Sequence, residues 1–358
     1  MFAQCRACGV PKMIGKTHAW RDGCIVDKAS GVANLCVYEV YNHNTFVKEM
    51  GDNMGLPLDP IIYNASVHAS QNVIDDMLKP HPILKKLAFS LPLYRLTERI
   101  ICNLYKAIGA GGVDLREHSK RRRAKAIISV PFNLTQCLAI TAGALQAVDG
   151  IPYSYEIVRE GEPTEVDFIP SSGEAGDEEA YERLSTTELT PNQSLPGPAF
   201  TPCPKCGVPQ AIGEMFSFDL RRGVVKERKG RGRVILGGVA SFNALFREFE
   251  RELGDPIDDI TIAIEKESTK KNLADTDDIG KSWDMLELRE HLALYGTGIL
   301  QEMEQDGDKV TFSVANVYVP PLVAGRLVGI WENWHQREAA YDFSVDDNTV
   351  TLTVRPKA

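Results

Sequence analysis

Four of the eight cysteines stand in two Cys-x-x-Cys-Gly segments, CRACGVPKMIG from Cys5 and CPKCGVPQAIG from Cys203. Two thiolates at that spacing, followed by glycine, make a knuckle in which backbone N–H groups reach the sulfurs and glycine permits the tight turn. One knuckle supplies half of a tetrahedral site, and two complete it. The second segment has no cysteine after Cys206, and His291 and His335 lie far along the chain. The first also has Cys24 and Cys36, which leaves a self-contained site there as an alternative. Matching the two segments, however, sets Cys24 opposite Val224 and Cys36 opposite Ile235 or Leu236, and marks both as core positions. The economical arrangement joins Cys5, Cys8, Cys203 and Cys206 around one zinc ion per chain, formed within the chain or between two chains. Four thiolates leave no open position for water, so the zinc is expected to be structural. Redox dithiols or plain buried thiols are the competing reading.

Other candidates for chemistry are weaker, and no catalytic residue is assigned. Cys102 and Cys137 sit in apolar helical patterns, ERIICNLYKAIG and NLTQCLAITAGAL, where a packed thiol is expected rather than a nucleophile. His68 and His81 fall opposite Glu267 and Gly280 in the second copy, so either would serve a site of the first copy alone; a surface or capped histidine is the simpler reading. The pairs Gly109/Gly111 and Gly296/Gly298 follow helices and lack a third glycine, which makes them helix stops or close-packing points rather than phosphate cradles. Of two basic runs, REHSKRRRAK offers Arg121, Arg122 and Arg123 as an anion site, and KERKGRGR offers a basic arm. Neither has interleaved aromatics that would stack bases, and the net charge of −9 argues against a general nucleic-acid binder. Solvated turns are the plain alternative.

These residues must be positioned by two copies of one unit. The parallel between the segments continues: GLPLDPII from Gly55 with GDPIDDIT from Gly254, LYKAIGAGGV with LALYGTGIL, and Ala142-Gly143 with Ala324-Gly325. With 358 residues, 43% apolar, the chain can bury sizeable cores. Residues 1–170 form the first repeat and 201–358 the second, with an acidic, flexible linker at 171–200 rich in Ser, Thr, Pro and Gly. In the second copy AIGEMFSFDL and RVILGGV read as strands around a polar hairpin, SFNALFREFEREL and KSWDMLELREHLALYGTGILQEM as helices, and KVTFSVA as a strand. PPLVAGRLVGIWENW then reads as a helix, before the hairpin of AAYDFSVD and TVTLTV. The fold class is α+β: two tandem pseudo-symmetric copies, each a zinc-knuckle β-ribbon followed by helices packed on a small antiparallel sheet. No run of about 18 or more apolar residues exists to span a bilayer, and the N-terminus lacks a signal-peptide pattern, so a cytoplasmic protein is expected.

This element order, with the Gly-x-Gly late in a long helical segment and the Ala-Gly helix before a terminal hairpin, resembles the 4-vinyl-reductase or hydrocarbon-binding domain family over about 230–355 and, more loosely, 32–170. The family's domain is a small-molecule-binding module related in fold to transport-particle tethering subunits. The resemblance implies an apolar pocket between helices and sheet, lined by Tyr105, Phe132, Leu138 and Leu145 in the first copy and by Tyr295, Tyr318, Leu322 and Trp331 in the second. No ATPase or DNA-binding portion like those of the familiar sensors is recognisable in these residues, so direct transcriptional regulation is not expected. The expectation is therefore a non-catalytic, zinc-stapled protein binding a small apolar or aromatic ligand. The alternatives are an enzyme, or an accessory subunit of one, acting on an aromatic or hydrophobic thioester, and a scaffold that docks a protein partner or a second copy of itself.

Overall fold

Proline after each cysteine segment starts a one-turn helix, and the chain then alternates short apolar strands with longer amphipathic helices. The computed structural model describes residues 3–78, 94–171, 189–229, 232–253, 257–275 and 281–357. In the first half these are α1 (Lys12–Thr17), β1 (His18–Arg21), β2 (Cys24–Asp27), β3 (Ala33–Glu39), α2 (Val40–Met54), α3 (Asp59–Leu78), α4 (Tyr94–Ile108), β4 (Gly112–Ser119), β5 (Arg123–Ser129), α5 (Leu134–Asp149), β6 (Tyr153–Arg159) and β7 (Thr164–Pro170). The second half repeats that order: α6 (Gln210–Met215), β8 (Phe216–Asp219), β9 (Val224–Glu227), β10 (Arg233–Gly238), α7 (Val239–Leu253), α8 (Ile257–Asp275), α9 (Met285–Tyr295), β11 (Ile299–Asp306), β12 (Lys309–Ala315), α10 (Pro320–His335), β13 (Ala339–Asp346) and β14 (Thr349–Pro356). The fold is α+β with antiparallel sheets. No helix among the described residues is long and apolar enough to cross a membrane.

The halves are interlocked rather than set side by side. Their ribbons join edge to edge into one six-stranded sheet, β1-β2-β3-β10-β9-β8, and the central pair β3/β10 is antiparallel with Val37 opposite Leu236. These strands are buried on both faces, since apolar residues run nearly unbroken through Leu35–Tyr38 and Val234–Leu236. Each ribbon is covered by the other half: α9 packs on β1, β2 and β3, and α4 packs on β9 and β10. The next helices exchange likewise, α2 against α8 and α7 against α3. Phe46 and Phe246 meet across the seam with ring centroids 5.1 Å apart. Reciprocal backbone bonds bind the turns, Gly111 N–H to the Gly223 carbonyl at 2.9 Å and Gly298 N–H to the Gly23 carbonyl at 3.0 Å. The Gly-x-Gly pairs are thus helix stops with positive φ, +87° and +114° in one copy and +71° and +131° in the other.

Several local expectations change. Residues 210–215 are helix rather than strand, and each ribbon has three strands because Val224–Glu227, within the expected hairpin, pairs with both β8 and β10. The helix expected to run through Met303 stops at Tyr295, where Gly296 adopts the left-handed conformation, and Ile299–Asp306 is a strand. Helix α8 carries no clear apolar stripe, because its buried face includes Thr261, Glu265, Ser268 and Thr269. That face is cut for close approach: a Cβ on Gly325 would lie 2.7 Å from the Ile262 carbonyl, and one on Gly329 2.7 Å from the Lys266 carbonyl. In the first half Gly143 meets the Val67 carbonyl in the same way. Caps at Asn133 and Val319 and at Gly150 and Gln336 make Gly143 the counterpart of Gly329. The Ala-Gly pairing read from sequence is one helical turn out of register.

Of the segment read as a linker, 172–188 lies outside the described residues. Residues 189–200 are mostly exposed but anchored: Leu189 is buried and its carbonyl accepts from Ala33 N–H at 2.9 Å, and Asn192 N–H donates to Asn316 Oδ1 at 2.8 Å.

Candidate metal centre

The two cysteine segments fold into the same knuckle. Cys5 N–H bonds the Val10 carbonyl at 2.8 Å and Gly9 N–H the Cys5 carbonyl at 2.8 Å; the equivalents are Cys203 to Val208 at 2.7 Å and Gly207 to Cys203 at 2.9 Å. Gly9 and Gly207 turn at φ +78° and +75°, a conformation that costs an L side chain about 1–2 kcal/mol. The sheet pairing brings the knuckles together. Cys5 Sγ lies 3.8 Å from Cys203 Sγ, Cys8 Sγ lies 3.4 Å from Cys206 Sγ, and all four sulfurs fall within 4.8 Å of one another. A tetrahedron with metal–sulfur arms of about 2.3 Å has edges of about 3.8 Å, so the spacing suits one ion.

The approach of the knuckles is built into two more glycines. A Cβ on Gly15 would lie 2.9 Å from the Cys206 carbonyl oxygen, and one on Gly213 would clash with the Cys8 carbonyl oxygen. Lys28 Nζ donates to the Gly15 carbonyl at 2.5 Å, and Arg228 Nε to the Gly213 carbonyl at 2.9 Å. These bonds close the C-termini of α1 and α6 and set a cation on each side of the cysteines. Backbone N–H of Cys8, opposed by burial and aided by N–H of Ala7, draws the Cys5 thiol down to about 6. Cys203 is lowered chiefly by N–H of Lys205. Burial raises Cys8 and Cys206, which a bound cation would hold as thiolates. Gly213→Ala should therefore lower stability by about 3 kcal/mol, the upper range of overpacking, and lower metal content without removing a ligand. Gly207→Ala, whose Cβ meets nothing within 4 Å, should cost only about 1 kcal/mol. Thermal unfolding with metal analysis checks both.

Cys24 and Cys36 stand apart from this centre. Cys24 Sγ donates to the Asn316 carbonyl at 3.6 Å and Cys36 Sγ to the Gly237 carbonyl at 3.7 Å, and burial pushes both thiols up to about 12. Cys102 and Cys137 are likewise raised by burial, to about 11 and about 12, and remain thiols at neutral pH. His68 is buried within α3, and His81 lies outside the described residues.

Of the expected pocket residues, Tyr105 and Leu145 line a narrow cleft between α4, β4 and α5 whose free volume is about 20 Å³, room for about one water. Phe132 and Leu138 are core, and Tyr105 also borders a smaller space against Ala110 and Cys137. In the second half Tyr295, Tyr318, Leu322 and Trp331 are packed at 6% exposure or less. Arg121 is engaged with Asp149, its N–H on Oδ2 at 2.8 Å and its Nε on the carbonyl at 2.9 Å. Arg123 pairs with Asp167, so the expected anion site retains Arg122 as its one exposed cation without a partner described here.

Sequence reasoning missed the group at the cleft's end. The imidazole of His118 lies between Glu98, on Nδ1, and Asp149, whose Oδ2 is 2.9 Å from Nε2; Tyr153 donates its hydroxyl to the same Asp149 oxygen. Asp149 is fully buried, and its other oxygen has no partner among the described residues. Burial alone would depress His118, but the bonds to Asp149 and Glu98 push it up to about 9. Thirty-one residues separate His118 from Asp149, and no local signal joins them. A raised histidine contributes stability that is fully present below its unfolded value, about 6.5, and lost as pH rises through 9. Unfolding free energy should thus fall between pH 7 and pH 9 by roughly 2 kcal/mol more than in His118→Gln, measured by denaturant titration.

No protein family and no curated protein matches the chain. Among solved structures, an H-NOX protein from S. oneidensis in the Fe(II)NO ligation state aligns at 15% identity and a TM-score of 0.23, covering 33% of this chain and 76% of that one.

Proposed function

We propose that Cys5, Cys8, Cys203 and Cys206 bind one zinc ion that clasps a duplicated chain, and that the protein so held is a non-catalytic binder of a small apolar or aromatic molecule in the first-half cleft. The convergence of four sulfurs from two halves at tetrahedral spacing carries the metal part of this reading. A closed four-thiolate site is a staple and not a reaction centre. Metal analysis together with solution mass tests it: one zinc per chain in a monomer is the expected result, and two per chain would overturn it. The apolar lining from Ile101, Val113, Leu145 and Val148 supports the ligand part. Equilibrium titration with aromatic and aliphatic compounds should give saturable binding that Leu145→Trp abolishes.

The cluster of Glu98, His118 and Asp149 favours a second reading, an enzyme or accessory subunit acting on an aromatic or hydrophobic thioester, because shifted titratable groups beside a cleft mark reaction sites. Against it, both imidazole nitrogens face carboxylates and burial keeps Cys102 a thiol. Turnover of an aromatic thioester that disappears in His118→Gln, with ligand binding retained, would select the enzyme.

A further inference from the structure

The two sides of the β3/β10 seam differ in one respect that the repeat does not require. Where β3 of the first half meets α8 and α10 of the second, a buried ionic cluster spans the seam. Arg326 Nη2 donates to Glu39 at 2.6 Å and to Glu265 at 3.3 Å. Tyr38 OH donates to Glu265 at 3.0 Å, and Asn42 Nδ2 donates to it at 3.2 Å. Asn42 in turn accepts from Asn272 Nδ2 at 2.7 Å. Glu265, Tyr38 and Asn42 are at most 2% exposed. Every bond among them except Arg326–Glu265, which lies within the second half, joins a residue of the first half to one of the second.

The other side of the pseudo-twofold carries none of this chemistry. With Val37 opposite Leu236 at the centre, Tyr38, Glu39 and Asn42 correspond to Gly237, Gly238 and Ser241. With Gly143 matched to Gly329, Arg326 corresponds to Ile140 and Glu265 to Ser66. Pairing of two first halves would thus bury Glu39 against Ile140 and Ser66. Pairing of two second halves would bury Arg326 and Glu265 against the glycines 237 and 238, without Glu39 and without the hydroxyl and amide that satisfy Glu265. In a pair of first halves Glu39 is desolvated without a cation, and in a pair of second halves Arg326 keeps Glu265 but both lose their partners Glu39, Tyr38 and Asn42, so each like pairing is penalised while the unlike pairing is satisfied.

We infer that the cluster of Glu39, Arg326 and Glu265 is a pairing key, which makes each half of this chain accept the unlike half as its partner and reject a second copy of itself. The key leaves open an exchange in which the first half of one molecule mates with the second half of another, and it excludes assemblies built on β3/β3 or β10/β10 contacts. The knuckles alone cannot make this distinction, since either pairing of halves would bring four cysteines together. The key does not depend on which metal the cysteines would hold.

The test uses the full chain carrying a protease site within 172–188, cleaved after folding. The pieces are exchanged in dilute denaturant, returned to buffer and weighed by native mass spectrometry. Unlike pairs are expected to exceed like pairs by roughly a hundredfold over the statistical proportion, about what loss of one partner from a buried ion pair amounts to. A statistical mixture, an excess of like pairs, or pieces that do not reassociate would each overturn the key. In Glu39→Gln/Glu265→Gln/Arg326→Met the preference should drop to near the statistical value, and an undiminished preference would assign selectivity to other contacts. Should that triple variant not fold, Arg326→Lys keeps a cation between the two carboxylates. It should keep the preference, whereas Arg326→Glu should lose it, and equal behaviour of the two would overturn the key.

Discussion

Cys203→Ser is expected to bring bound metal from one equivalent to nearly none and to lower the unfolding temperature on the order of 10 °C. The mutated residue belongs to the second half, yet the loss should extend to the first, because Cys5 and Cys8 are left with a single thiolate partner across the seam. A ligand present at a thousand times its dissociation constant stabilises by about 4 kcal/mol, and for folds of this size each kcal/mol moves the midpoint by about 2–4 °C. Complete unfolding is not expected, since the six-stranded sheet and the exchanged helices join the halves through contacts of their own. Cys24→Ala separates the two kinds of thiol: it creates a small void beside Asn316 and should leave the metal ratio at one. Calorimetry and metal analysis on both variants, with and without chelator, give the answer. Chelation should reproduce the Cys203→Ser midpoint in the wild type and leave the variant unmoved.

Arg326→Met should be among the most damaging single changes away from the cysteines, at about 3–5 kcal/mol, because it leaves Glu39 and Glu265 facing one another in a closed seam. Arg326→Lys should recover only part, since an ammonium cannot reproduce the planar fork that serves both carboxylates. The loss should also depend on pH. Burial holds Glu265 up to about 7 even with Arg326 beside it. An acid raised above its unfolded value weakens the fold as pH climbs from about 4.3 through 7, so wild type and variant should lie closer together at pH 5 than at pH 8. Denaturant titrations at the two pH values measure this difference directly, and an equal loss at both would mean that Glu265 keeps its charge at neither or at both.

Much of this was legible from residue order. The two Cys-x-x-Cys-Gly segments named all four sulfurs that converge, because a knuckle is a local structure whose spacing survives in sequence. The strands and the terminal hairpin were legible for a similar reason, as their alternation reports a half-buried surface directly. Helix α8 was not, because packing against the glycines of α10 lets Thr, Ser and Glu occupy its buried face and erases the apolar stripe. Nor was the third ribbon strand, whose charged residues suggested a turn and whose place is set by partners on either side.

The sequence by itself determined that two similar halves each hold half of a four-cysteine site, and that each half is built of a ribbon, helices and a small antiparallel sheet. Only the tertiary structure decided that the halves interlock, that Glu39 of one lies against Arg326 of the other, and that His118 is caught between Glu98 and Asp149. The physical reason is one of range. Knuckles, caps and strand alternation follow from neighbours a few residues apart, whereas the charge partners in the seam are 61 to 287 residues distant. Their energies exist only once water has been excluded from between them.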